Sequence, residues 1–119
     1  AKVSAFVGEA PGQVSLAEAQ ELAVQVQRAM TTGAVDAKIN AAAQLLLGGQ
    51  YQASIDAYLE IARVHPERTG TCYGQIGAGL FFIRQYERAI EYYEAAKQHG
   101  ANPRMMDENI AEARAALAG

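Results

Sequence analysis

Residues of one character recur along this chain at a spacing of about 35, and that period constrains every fold the chain can adopt. Leu16, Tyr51 and Tyr86 fall at equal steps, as do Ala19, Ser54 and Ala89, and again Val26, Ile61 and Ala96. Two copies overlay without a gap: Ala43 on Ala78, Leu45 on Leu80, Gln50-Tyr51 on Gln85-Tyr86, Ile55 on Ile90 and Tyr58 on Tyr93. Apolar residues inside each copy follow helical spacing, and no window alternates with a strand's period of two. The pattern predicts an all-helical chain of paired helices, each pair burying its faces against its neighbours.

Punctuation along the chain gives the expected boundaries. Residues 1–14 contain Gly8, Pro11 and Gly12 and read as an irregular lead-in. Ser15 with Glu18 forms a capping box, opening a helix over about 16–30 whose stripe is Leu16, Ala19, Ala23, Val26 and Met30. Gly33 is expected to end it. Further helices are expected over about 35–47, 51–64, 70–83, 86–98 and 105–117, separated by Gly48-Gly49, Pro66, Gly100 and Asn102-Pro103. Residues 15–118 then form one domain: a half repeat over 15–33, repeats over 35–68 and 70–103, and a capping helix over 104–118.

The totals narrow the function. A chain of 119 residues makes one small domain. Its net charge of -3 argues against non-specific nucleic-acid binding, which needs a basic face to displace counterions. The single cysteine, Cys72, excludes an internal disulfide and suits a reducing compartment such as the cytoplasm. No run approaches the ~18 apolar residues of a membrane span, so no membrane partner is expected. The stretch Ala1–Ala10, with Lys2 and an early Glu9, is expected not to be a signal peptide.

The second copy reads Tyr73-x2-Ile76-Gly77-x2-Leu80 and then Ala89-x3-Tyr93. This resembles the tetratricopeptide repeat (TPR) template, Trp-x2-Leu-Gly-x2-Tyr followed by Ala-x3-Phe. The first copy has Lys38, Ala41, Ala42 and Leu45 in its front half, then Ser54-x3-Tyr58, and Pro66 at the family's proline position. The second copy has Ala101 there, with Pro103 two residues on. The resemblance covers roughly residues 15–118. It implies a right-handed α-solenoid closed by a C-terminal capping helix, with the front helix of each repeat lining a concave face.

Charge is uneven in a way that bears on this. No charged residue lies between Lys38 and Asp56, or between Arg68 and Arg84, the stretches that hold the two front helices. A helix apolar around its whole circumference is buried on all sides or covers a binding surface. In the second, Tyr73, Ile76, Gly77 and Leu80 make a stripe for the core. Gly74, Ala78, Phe81 and Phe82 lie off that stripe, and Ile39, Ala43, Leu46 and Leu47 are their counterparts in the first. By the resemblance these offset positions point into the concave face, where Asn40 and Gln75 add amides able to hold an extended backbone.

The expected function is non-catalytic protein–protein interaction, with an apolar groove taking a peptide or a partner helix. Homodimerisation through the same face is the alternative, and burial of Phe81 and Phe82 beneath the chain's own end helices is the third reading. Chaperone-binding members of the family hold a carboxylate with Lys and Asn. The matching positions here are Ile39, Ala43, Gly74 and Ala78, so that clamp is absent. The groove is closer to members that chaperone hydrophobic segments.

Candidate chemistry is sparse. His65 and His99 end the two back helices, where a cation suits the helix dipole. Glu87, Glu91 and Glu94 share a helix with Arg84, Arg88 and Lys97 and read as a salt-bridged face. Cys72 reads as a packing residue. No enzyme activity, cofactor or metal is expected.

Overall fold

The computed structural model describes residues 15–119 of the chain, so the lead-in expected over 1–14 lies outside the described residues. Five α-helices follow in order: α1 Leu16–Leu47, α2 Tyr51–Val64, α3 Thr69–Phe82, α4 Tyr86–Gln98 and α5 Pro103–Ala118. A single 3-10 turn, Pro66–Arg68, joins α2 to α3. Among the described residues there is no strand, and no helix long and apolar enough to cross a membrane. The chain divides into two compact units, Ala1–Ala34 and Val35–Gly119.

The described part of the first unit is the opening of α1. Ser15 Oγ accepts from the Glu18 backbone N–H at 3.1 Å while Glu18 Oε1 accepts from the Ser15 N–H at 3.1 Å, a closed capping box. The expected end at Gly33 is corrected: α1 runs through it without a break. Nothing lies within 4 Å of where a Cβ on Gly33 would stand. A glycine stops a helix only where the backbone turns left-handed, and at Gly33 it stays helical.

The second unit holds the core. α2 packs on α3, α3 on α4, and α4 on α5. The end of α1 joins α2 through side chains that add a second hydrogen bond to helix carbonyls: Ser54 Oγ donates to the Ala42 carbonyl at 2.8 Å, and Tyr58 Oη to the Ile39 carbonyl at 3.3 Å. Ser54 is 1% exposed and its repeat partner Ala89 is 0% exposed. A small residue at each of these positions lets the paired helices cross closely. Gly77 serves the same purpose on α3, since a Cβ there would stand 2.6 Å from the Tyr93 ring. Ile76, Leu80, Tyr93 and Ile110 complete the buried interior.

Three helix ends close in the same way, and those after α1 and α3 are one repeat apart. After α1, Gly49 has φ +84, and the Gln50 N–H reaches the Leu45 carbonyl at 2.9 Å. After α4, Gly100 has φ +94, and the Ala101 N–H reaches the Ala96 carbonyl at 2.9 Å. Both are Schellman closures, which satisfy the last carbonyls of a helix through a left-handed residue. After α3 the same closure is made by Arg84, with φ 66 and the Gln85 N–H on the Leu80 carbonyl at 2.9 Å. Arg84 therefore adopts a conformation that costs a side-chain-bearing residue about 1 kcal/mol or more. Into α5, Asn102 Oδ1 accepts from the Met105 N–H at 3.0 Å with Pro103 in the first turn, a paired start signal.

Candidate functional site

α3 is a weak helix by propensity. Its fourteen residues include Gly70, Gly74, Gly77 and Gly79, each costing about 1 kcal/mol relative to alanine in a helix interior. What those glycines provide is proximity. A Cβ on Gly70 would overlap the His99 carbonyl oxygen at 2.5 Å, and one on Gly79 would meet Ile55 Cγ1 at 2.8 Å. Gly74 differs from these: its added Cβ would lie 3.5 Å from Met106 Sδ, an ordinary contact. The helix is held by packing against α2 and α4, and its surface is scooped where side chains are missing.

One such hollow lies between α3 and α5, with a volume of about 240 Å³. Gly74, Gln75 and Ala78 form its α3 side, and Met105, Met106 and Asn109 its α5 side. Ala101 and Asn102 close one end. None of the residues lining it is charged. Met106 is buried while Met105 is 56% exposed, so one thioether forms the floor and the other stands at the rim. Gln75 and Asn109 place an amide on opposite walls.

Ten residues are expected from the sequence to line a groove, and only some of them meet in this hollow. Gly74, Gln75 and Ala78 do. Phe81 and Phe82 instead engage the flanking helices: Phe82 stacks on Tyr51 of α2 at 5.0 Å between ring centroids, and Phe81 packs edge-on against Tyr86 of α4 at 5.2 Å. Phe82 nevertheless remains 54% exposed. On α1, Ile39, Ala43 and Leu46 are half-buried, Asn40 is exposed and Leu47 is 78% exposed. Ile39 packs against the core, and its carbonyl is taken by Tyr58. The α5 residues Met105, Met106 and Asn109 are missing from the sequence-based set, because the last helix reads as a cover. The paired methionines opening that helix are the one signal that could have marked them.

The hollow's lining has no charged side chain, and the perturbed titratable groups lie elsewhere in the second unit. Burial pushes the Tyr58 hydroxyl up to about 12, with the Cys72 thiol adding to the effect, and burial likewise pushes Tyr93 up to about 12, with Glu112 adding. Burial also raises the Cys72 thiol, against the pull of Arg68. A buried thiol with a raised pKa is a poor nucleophile, which fits a packing role. Lys97 Nζ lies 2.6 Å from Asp107 Oδ1, tying α4 to α5, and that hydrogen bond raises the lysine's pKa. His65 Nδ1 stands 3.7 Å from Glu67 Oε2, and the His99 ring packs edge-on against Tyr73. Among the described residues no three His, Cys, Asp or Glu side chains gather in a way that could hold a metal ion.

No protein-family model matches the chain. No curated protein matches it in sequence either.

Proposed function

We propose that this chain is a non-catalytic binding module built from stacked TPR-like repeats, and that the α3–α5 hollow anchors an apolar side chain of a peptide or partner segment. The uncharged lining of the hollow is the observation that carries the reading. Desolvating Gly74, Ala78, Met105 and Met106 costs little, while Gln75 and Asn109 can hold the backbone on either side. At about 240 Å³ the space is below the ~300–1,000 Å³ usual for small-molecule sites, which favours a side-chain anchor over a cofactor. The stacking of repeats is supported by equivalent helix closures after α1 and α3, at Gly49 and Arg84, and by Ala42 and Gly77 taking matching places in successive front helices.

An array of extended peptides carrying single Leu, Met or Phe anchors, probed with the full chain, tests this. Wild type should select apolar-anchored peptides. Met105→Glu, at an exposed rim position, should weaken them roughly tenfold or more by placing a carboxylate against the desolvated anchor. Equal binding by the variant, with its helical circular dichroism unchanged, refutes the reading.

A further inference from the structure

A second hollow lies on the opposite end of the repeat stack from α5, between the end of α1 and α2. It measures about 310 Å³ and is lined by Lys38, Ala41, Leu45, Ala57, Glu60 and Ile61. One repeat further on, the residues matching Ala41, Leu45 and Ile61 are Ile76, Leu80 and Ala96. Those three are 0%, 1% and 0% exposed, and α2 is the helix laid along α3 there. Ala41, by contrast, is exposed and Leu45 only half-buried. Ile61, on the α2 side, is 5% exposed, so the opening lies on the α1 side, and its lining matches a seat for a helix of α2's kind.

The chain itself carries a helix of that kind. The segment Leu16–Met30 of α1 is in register with α2, and the match extends beyond the apolar positions. Glu21 falls on Asp56 and Arg28 on Arg63, while Leu16 falls on Tyr51, Ala19 on Ser54 and Val26 on Ile61. Among the described residues its large apolar side chains are exposed: Leu16 is 76% exposed, Val26 58% and Met30 70%. α1 stays helical through Gly33, where the repeat pattern leads one to expect a turn.

We infer that Leu16–Met30 of one copy docks in the Lys38–Ile61 seat of a second copy, giving a reciprocal, two-fold dimer by helix exchange. The contact lies away from the α3–α5 hollow and does not rest on the function proposed for it.

Light scattering and sedimentation over a concentration series of the full chain should find a dimer. Val26→Glu alters an exposed residue of the segment and Leu45→Glu alters the seat. Each alone should weaken the dimer by on the order of a hundredfold, the effect of burying a lone carboxylate in an apolar contact. Mixing the two variants should recover part of the association through one contact, because the intact segment of the Leu45→Glu chain can occupy the intact seat of the Val26→Glu chain while the second contact stays open. Circular dichroism of each variant checks that the helices persist. If Leu45→Glu fails to fold, Ala41→Glu, at an exposed position of the same seat, takes its place. A wild-type monomer at every concentration, a Val26→Glu dimer as tight as wild type, or no recovery on mixing each overturns the inference.

Discussion

Two glycines of α3, three residues apart, should respond oppositely to the same substitution. Gly77→Ala places a Cβ 2.6 Å from Tyr93 Cε1, 2.7 Å from Cδ1 and 3.0 Å from Cζ, against a ring that is 3% exposed. Carbon atoms prefer about 3.5–4.0 Å, so the ring or the helix must retreat by roughly 1 Å in a filled interior. Overpacking of this kind costs about 1–3 kcal/mol, offset by the roughly 1 kcal/mol that alanine returns in helix propensity. Gly74→Ala meets only Met106 Sδ at 3.5 Å and Cε at 3.6 Å, so it should keep the propensity gain of about 1 kcal/mol. The difference between the two variants isolates the overpacking, about 1–3 kcal/mol, because propensity is common to both. Urea unfolding followed by the helical circular dichroism signal measures it, provided the slope with denaturant is unchanged. Tyr93→Leu removes the outer ring atoms, and in that background Gly77→Ala should lose most of its penalty, a coupling a double-mutant cycle reads directly. If Gly77→Ala proves as stable as Gly74→Ala, the close crossing of α3 and α4 is not what requires glycine there.

Arg84→Gly should stabilise the protein by about 1 kcal/mol, relieving the left-handed backbone at φ 66. Thermal melting should register this as a rise, Arg84→Ala should give none, and equal melting temperatures for the two would refute the assigned strain. Tyr58 and Tyr93 supply a pH dependence: both stay protonated in the folded protein up to about 12 but ionise near 10 when unfolded. Between those values the unfolded chain has released protons the folded chain keeps, so stability should be unaffected below ~10 and fall by up to ~1.4 kcal/mol per pH unit per ring above it. Denaturation series at alkaline pH should show a shallower fall for Tyr93→Phe than for wild type, and identical slopes would count against the burial argument.

Features set by neighbours in sequence were readable before any coordinates. The Ser15–Glu18 box and the Asn102–Pro103 start are local hydrogen-bond patterns, and the small residues Ser54 and Ala89 mark crossings because the period repeats them. Gly33 misled, since a glycine carried passively inside a helix has the same letter as one that ends it. Arg84 hid the opposite way: it makes a glycine's turn without being glycine, and only its register with Gly49 hints at this. The lining of the α3–α5 hollow was legible only on its α3 side. Uncharged α3 pointed to Gly74, Gln75 and Ala78, but Phe81 and Phe82 stack on Tyr51 and Tyr86, a choice fixed by ring geometry that hydrophobicity alone does not encode. Met105 and Asn109 belong to the hollow because α5 lies beside α3, a long-range adjacency with no local signature.

Gly70 bears on how selective that hollow can be. With the His99 carbonyl, just past the end of α4, set directly against the α3 backbone, the α4–α5 connection that closes one end of the hollow is held fast to α3. Accommodation must therefore come from the unbranched thioethers of Met105 and Met106, which change shape at little cost. A site with a rigid frame and pliable upholstery should grip many apolar residues comparably well, and discriminate among sequences through the amides beside them.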